Sequence, residues 1–403
     1  MSKNVIYLDN NATTRVDPLV LETILPYFSE YYGNPSSMHA FGGQVSKAVS
    51  QARQNIADLI GANNTEIVFT SGGTEGNNAA IRAALKAQGN RKQIITTQVE
   101  HPAVLNTCKH FEKQGYDVTY LSVDGKGQID LAEFEEALSE ETALVSMMYA
   151  NNETGTIFPV EEVAQRAKQV GAIVHIDAVQ AVGKVSIDLS QSSIDLLTLS
   201  GHKLHAPKGI GVLYVRRGTR FRPLLIGGHQ ERGRRGGTEN VPGIIGLGKA
   251  AELAKAHIEK EQTQVRALRD RLERGLLEAI PDCQVNGDPV QRLPNTSNIG
   301  FKYIEGEAIL FWLNQYGICA SSGSACTSGS LEPSHVLQAM GLPYTILHGS
   351  IRFSLSRYTT QAEVDRVLEV MPAIAQRLRA LSPFNNDSAD WLQGREAALA
   401  ANG

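Results

Sequence analysis

Leu196-Leu-Thr-Leu-Ser-Gly-His-Lys203, running on into Leu204-His-Ala-Pro-Lys-Gly-Ile-Gly-Val-Leu-Tyr-Val215, decides the fold. An apolar run, a Ser-Gly-His-Lys break and a glycine-bounded β-branched run read as strand, loop, strand, so Lys203 sits where a strand ends. A solvated lysine has a pKa of about 10.4 and is a poor nucleophile at neutral pH, whereas one held in a partly desolvated site forms Schiff bases. A lone loop lysine is most often a surface charge. What sets Lys203 apart is the sequence before it.

Gly171-Ala-Ile-Val-His-Ile-Asp177-Ala-Val-Gln180 is an apolar strand that delivers an acid at its carboxyl end. Open α/β sheets bind ligands beyond the carboxyl ends of their strands, which turns Asp177 and Lys203 toward one crevice. An amine for an aldehyde and a carboxylate for a pyridinium nitrogen are the minimum of a pyridoxal phosphate site. Glu66-Ile-Val-Phe-Thr-Ser-Gly-Gly-Thr-Glu75 followed by Gly76-Asn-Asn-Ala-Ala-Ile-Arg-Ala-Ala-Leu85 is strand, glycine turn and helix. Gly72 and Gly73 let backbone approach an anion, Thr74 offers a hydroxyl, and the helix start presents unpaired N–H groups. The turn matches neither GxGxxG nor GxxxxGK[ST], so dinucleotide and nucleoside triphosphate readings have no support.

The strand Ile94-Ile-Thr-Thr-Gln-Val-Glu100 ends at His101-Pro102. His101 either caps the next helix or stacks on a flat ring in the crevice, where its near-neutral titration is useful. Tyr149-Ala-Asn-Asn-Glu-Thr-Gly155 brings Asn151 or Asn152 to the same edge. One of the two turns the chain and the other is the candidate partner for a ring oxygen. Asp9, Asn10 and Asn11 read as turn formers, and Gly33-Asn-Pro-Ser-Ser37 as a loop that is either punctuation or a substrate mouth.

Strands at 117–123, 143–150, 172–178 and 195–200, with helices at 130–139 and 160–170, predict an α/β fold with a mostly parallel sheet wrapped by helices. A helical stretch at 242–280 leads to a smaller α+β domain with helix 305–316, strand 318–322, helix 333–341, strand 350–356 and helix 360–380. The expected divisions are an N-terminal segment 1–15 packing with the small domain, a large domain 16–257, a small domain 258–385 and a tail 386–403. In Ser350-Ile-Arg-Phe-Ser-Leu-Ser-Arg357, alternation buries Ile351, Phe353 and Leu355 and turns Arg352 to the other face, where a guanidinium suits a substrate carboxylate. Gly227-Gly-His-Gln-Glu-Arg-Gly-Arg-Arg-Gly-Gly-Thr238 is either a solvated charged loop or an anion site reaching across a subunit boundary.

A net charge of -4 with 20% charged residues gives no basic surplus for nucleic acid. No apolar run is long enough for a membrane span, and the first residues resemble neither a signal nor a transit peptide, so the expected location is the cytoplasm. Cys108, Cys283, Cys319 and Cys326 have no CxxC partner, against a metal cage built by this chain alone. Cys326 lies in Ala320-Ser-Ser-Gly-Ser-Ala-Cys326-Thr-Ser-Gly-Ser, among small polar residues unlike the surroundings of a buried structural thiol.

With Ser200-Gly-His-Lys203, His175-Ile-Asp177-Ala-Val-Gln180, Glu100-His-Pro102 and Ser322-Gly-Ser-Ala-Cys326-Thr-Ser all present, the chain resembles the cysteine desulfurases. These form part of the class-V group of fold-type I pyridoxal-phosphate enzymes. The resemblance runs from Tyr7-Leu-Asp-Asn-Asn-Ala-Thr-Thr14 to about Ser382. The Gly227–Arg235 stretch and the short Cys326 loop look most like the nitrogen-fixation type, with the housekeeping iron–sulfur type nearby.

The resemblance implies Lys203 as the Schiff-base lysine, Asp177 at the pyridinium nitrogen, Asn152 and Gln180 near the ring oxygen, and His101 stacked on the ring. It implies a phosphate held by Gly73, Thr74, Ser200 and His202, completed by Thr238 from the other subunit of a homodimer, and substrate held through Asn34 and Arg352. L-cysteine would become L-alanine while Cys326 takes the sulfur as a persulfide. A scaffold protein for iron–sulfur or nitrogenase metalloclusters would receive it, with Cys326 the candidate cluster ligand. An aminotransferase, a selenocysteine lyase or a non-catalytic scaffold are the alternatives on this framework, and a transaminase has no use for Cys326. Incubation with cysteine is expected to add about 32 daltons, one sulfur atom, to the Cys326 peptide in a mass spectrum; an adduct confined to other cysteines would contradict the assignment.

Overall fold

The alternation of apolar runs and amphipathic stretches produces a seven-stranded sheet wrapped by helices. The computed structural model describes residues 5–322 and 333–382. β1 (Ile6–Tyr7) precedes the sheet. The sheet comprises β2 (Ile67–Thr70), β3 (Gln93–Thr97), β4 (Asp117–Leu121), β5 (Thr142–Met148), β6 (Ile173–Asp177), β7 (Leu196–Ser200) and β8 (Gly211–Val215). Its order is β2-β8-β7-β6-β5-β3-β4. Pairing is parallel from β4 through β7, and β8 runs antiparallel to both its neighbours. Strands β5 and β7 are buried along their whole length, the condition of a sheet covered on both faces. The mostly parallel α/β architecture expected from the sequence is present.

On one face the helices Ala40–Ile60 and Val241–Lys260 pack together so closely that a Cβ on Gly248 would lie 2.4 Å from Ala52. The other face buries Ala80, Ala84, Cys108 and Phe111 against β3, β5 and β7. A further core forms around β9 (Cys283–Asn286), β10 (Thr296–Phe301) and β12 (Ser350–Ser354), an antiparallel sheet with β10 central. β11 (Ile318–Cys319) pairs in parallel with β1, and Leu8 is buried in that same core.

The sequence reading passed over β9 and β10 because their Asn, Ser, Thr and Gly residues look like loop. They are polar because one face is a hydrogen-bonded row: Asn286 Nδ2 donates to Asn298 Oδ1 at 2.8 Å and to Ser350 Oγ at 2.9 Å. The stretch read as one helix over 242–280 contains a π-helical turn at Glu261–Val265. Ala254, before it, belongs to the core under the large sheet, and Val265 to the core around β10. Among the described residues no helix is long and apolar enough to cross a membrane.

The arginine-rich loop is tied to the sheet by Glu231, whose two oxygens accept from Arg53 at 2.7 and 2.8 Å while its Oε2 also accepts from Phe69 N–H at 3.0 Å. Both side chains are buried. Glu231→Ala leaves the Arg53 charge buried without its carboxylate, and urea unfolding is expected to show a loss of about 3–5 kcal/mol. A loss below about 1 kcal/mol, the range of an exposed pair, would contradict this.

Candidate active site

Three parallel strands end together. The register aligns Met148 with Asp177 and Asp177 with Thr198, so β5, β6 and β7 release the chain at one edge of the sheet. Beyond that edge lies a cavity of about 460 Å³, within the range of small-molecule sites. Gly73, Thr74, His101, Asn152, Asp177, Gln180, Ser200, His202, Lys203 and Arg352 all line it. Asn34 and Thr238 do not: both are exposed, and Asn34 Oδ1 accepts from Ser36 N–H at 2.8 Å within its own loop. Cys326 lies outside the described residues.

Asp177 is buried, and its carboxylate is held by Asn77 Nδ2 at 2.6 Å and by Val179 N–H at 3.0 Å. Asn77 comes from the helix Gly73–Ala87, whose first turn is the glycine turn of the sequence. Gly72 supplies no side-chain cap to that helix, which leaves first-turn N–H groups for an anion. The turn is backed tightly: a Cβ on Gly73 would meet Val179 Cγ2 at 3.0 Å and Ser200 Cβ at 3.7 Å. Glu75, in that first turn, is gripped by Arg235 at 3.0 and 3.2 Å, while Arg232 and Arg234 donate to Thr65 O. The arginine loop thus braces the turn from outside.

Lys203 closes a short 3-10 turn after β7 and reaches the N-terminal segment, where Nζ donates to Asn11 O and, at 2.7 Å, to Ala12 O. Asn11, read from the sequence as a turn former, is a hub. Its Nδ2 donates to Thr296 Oγ1 at 2.9 Å and to Asn152 O at 3.2 Å, and its Oδ1 accepts from Asn295 Nδ2 at 3.1 Å. Arg352 is almost wholly buried, with Nη1 on Asn152 O at 2.9 Å and Nη2 on Asp9 Oδ1 at 2.8 Å.

The choice between Asn151 and Asn152 is resolved by burial and bonding. Asn151 Oδ1 accepts from the N–H groups of Glu153 and Thr154 at 2.9 and 3.0 Å, turning the chain, and Asn152 is the one at the cavity. His101 is the cap of the next helix, and it also stands at the cavity. Its Nδ1 accepts from Ala103 N–H at 3.1 Å as the cap of the helix Pro102–Glu112, and its ring lines the cavity. An accepting Nδ1 places the proton of the neutral ring on Nε2. Burial holds its pKa below the usual histidine value, opposed by Asp177 and assisted by Lys203 and His335. His202, with Nδ1 3.1 Å from Thr13 Oγ1, is pushed down to about 4 by burial and by the neighbouring lysine charges.

Three further groups of the site have no role in the sequence reading, although Glu100 lies in the Glu100-His-Pro102 motif and Glu153 in the Tyr149–Gly155 stretch. His335 lines the cavity and donates from Nε2 to Glu100 O at 2.9 Å. Glu153, also at the cavity and buried, accepts from Ser334 Oγ at 2.5 Å and is pushed up by burial. Glu100 is buried one residue from His101, accepts from Thr97 Oγ1 and Met148 N–H at 2.9 Å each, and is pushed up to about 8, mainly by burial.

The donor set fits pyridoxal phosphate: a helix start with hydroxyls for the phosphate, a buried carboxylate for the ring nitrogen, and an amine at the same cavity, which is of suitable size. The aminotransferase class-V family pattern matches residues 6–367. The chain is 73% identical over 397 residues to cysteine desulfurase 2 of Trichormus variabilis, covering 98% of this chain and all of that one. It is 61% identical over 380 residues to cysteine desulfurase NifS of Azotobacter vinelandii, covering 94% of each. A solved NifS-like protein superposes with a TM-score of 0.87 at 40% identity, over 93% of this chain and 100% of that chain.

Because Glu100 stays protonated in the fold up to about 8 but ionises near 4.5 when unfolded, the unfolded chain binds fewer protons between those values, and this group's contribution to stability falls as pH rises through that window. Glu100→Gln keeps the acceptor and removes the ionisation. Its stability relative to the parent is expected to climb from pH 4.5 to about 8 and then level off in denaturant titrations; a difference independent of pH would contradict the assignment.

Proposed function

We propose, for a chain that belongs to the aminotransferase class-V family, a pyridoxal-phosphate-dependent cysteine desulfurase that converts L-cysteine to L-alanine and loads the sulfur on Cys326 as a persulfide. The observation that carries the reading is the meeting of Lys203, Asp177 and the Gly73 helix start at one cavity. The cofactor supplies an aldehyde that holds amino acids covalently and a ring that draws electrons from bonds at the α-carbon.

Gly73, Thr74, Ser200 and His202 hold its phosphate, Asp177 its ring nitrogen, and Asn152 and Gln180 its ring oxygen. Arg352, oriented by Asp9 and the Asn152 carbonyl, receives the substrate carboxylate through charge-assisted hydrogen bonds. Lys203 Nζ carries a proton from the substrate α-carbon, and the Asn11 and Ala12 carbonyls fix where that amine stands. His101, held neutral by burial and tied at Nδ1, presents its proton on Nε2 to the sulfur chemistry. The balance closes without an outside oxidant: the substrate C–S bond breaks, an S–S bond forms at Cys326, and the carbon gains the hydrogen that makes alanine.

A homodimer supplies Asn34 and Thr238 from the opposite chain in this reading. The support is that both are exposed and neither lines its own chain's cavity, and that Phe28, Tyr32 and Met38, near Asn34 in the sequence, are 65%, 71% and 103% exposed. The sulfur passes in the cytoplasm to a scaffold protein for iron–sulfur or nitrogenase clusters. The resemblance to NifS at 61% identity supports that destination.

Cys326→Ala is expected to keep the visible band of bound pyridoxal phosphate and to form no alanine from cysteine. Parent-like alanine formation by this variant would exclude Cys326 as the sulfur acceptor.

A further inference from the structure

We infer that Lys184 is a positioning residue of the active site: its buried ammonium group fixes which end of the Gln180 carboxamide is offered to the cavity and steadies Asn11, on whose carbonyl Lys203 rests. Lys184 follows β6 by seven residues and is 8% exposed. Nζ donates to Gln180 Oε1 at 2.9 Å and to Asn11 Oδ1 at 3.5 Å. Lys184 Nζ carries hydrogens to donate, and the atom it meets on Gln180 is the amide oxygen. The amide nitrogen is thereby fixed as the other end, and it donates to Asn11 O at 2.9 Å. The same carbonyl accepts from Lys203 Nζ. Two lysines, one carboxamide and one asparagine are therefore joined in one hydrogen-bonded network.

The chemistry that follows is directional. Gln180 lines the cavity with its oxygen already engaged, and its nitrogen carries two hydrogens, of which Asn11 takes one. The side chain is thus set to donate to the cavity, which favours an anionic ring oxygen over a hydroxyl. Lys184 at Oε1 and the Asn11 carbonyl at Nε2 together oppose the flipped amide, which would offer an acceptor to the same place.

The fold holds the lysine there by an irregularity. Glu261 opens the π-helical turn and is buried, and Gln262, next to it, donates to Lys184 O at 2.7 Å. π turns inside α-helices interrupt the regular ladder and concentrate at functional sites. Burial pushes Lys184 below its usual range and Glu261 above its own, and their mutual attraction opposes both shifts. The π turn thus brings both a countercharge and a backbone anchor to a residue directly behind the cavity.

The inference rests on pyridoxal phosphate occupying the cavity, and the test separates the two. In holoenzyme, Lys184→Met is expected to shift the visible absorption maximum of the bound cofactor and to weaken pyridoxal phosphate binding to the apoprotein about tenfold, the size of a lost charge-assisted hydrogen bond. In a Gln180→Leu background the same substitution is expected to change both quantities much less, because the amide it orients is gone and only the longer contact to Asn11 Oδ1 is left to lose. If Lys184→Met does not fold, Lys184→Met with Glu261→Gln leaves no lone buried carboxylate and takes its place in both measurements. A coloured parent with a variant of unchanged band and affinity overturns the inference alone, as does an equal loss in the Gln180→Leu background. A parent that binds no pyridoxal phosphate overturns the reading of the cavity as well.

Discussion

The peptide and side chain of Asn11 are the joint on which the arrangement turns. The large sheet ends in Asp177 and Lys203, the antiparallel sheet around β10 supplies Arg352, and the segment carrying Asn11 lies between them. Asn11 N–H donates to Ser354 Oγ at 2.9 Å, its side chain binds Thr296 and Asn295, and its carbonyl receives Lys203 and Gln180. Each bond is ordinary in strength, about 1 kcal/mol net for a neutral pair. Their convergence on one residue sets the distance between the amine and the guanidinium, two groups that must meet one small amino acid.

Around that joint the protein manages charge by burial. Glu100 and Glu153 are pushed up, and His101, His175 and His202 are pushed down. Glu100 and the three histidines favour their neutral forms near pH 7, which leaves Asp177, Lys203 and Arg352 with few charged neighbours at the cavity. His175 shows how firmly this is built: its ring lies between Ser146 Oγ at 2.8 Å and Thr198 Oγ1 at 3.0 Å, bridging β5 and β7 across β6 just before Asp177. A site with few charges, each braced by neutral hydrogen bonds, makes those few more effective, because little competes with them in a low-dielectric surrounding.

Much of this was legible in the chain because motif and geometry coincide in α/β proteins. Apolar runs ending in Asp177, His101 or Lys203 announce strands whose carboxyl ends meet at one cavity, and the Gly72-Gly73-Thr74 turn announces the helix start that lines it. What escaped was of another kind. Strands β9 and β10 are disguised by a polar hydrogen-bonded face, and the π turn at Glu261 leaves no trace in helical periodicity. Asn11 acts through residues distant in sequence, so local pattern reads it as a turn former, and Lys184 and His335 carry no local pattern at all. The Asn151–Asn152 pair was open for the same reason: only tertiary contacts decide which amide turns the chain.

The central claim is that Lys203 is the lysine that holds pyridoxal phosphate. Borohydride reduction of the coloured protein makes that linkage permanent, and peptide mass spectrometry then locates it. The account predicts a pyridoxyl group on the peptide that contains Lys203. A group found instead on another lysine, Lys184 included, would contradict it.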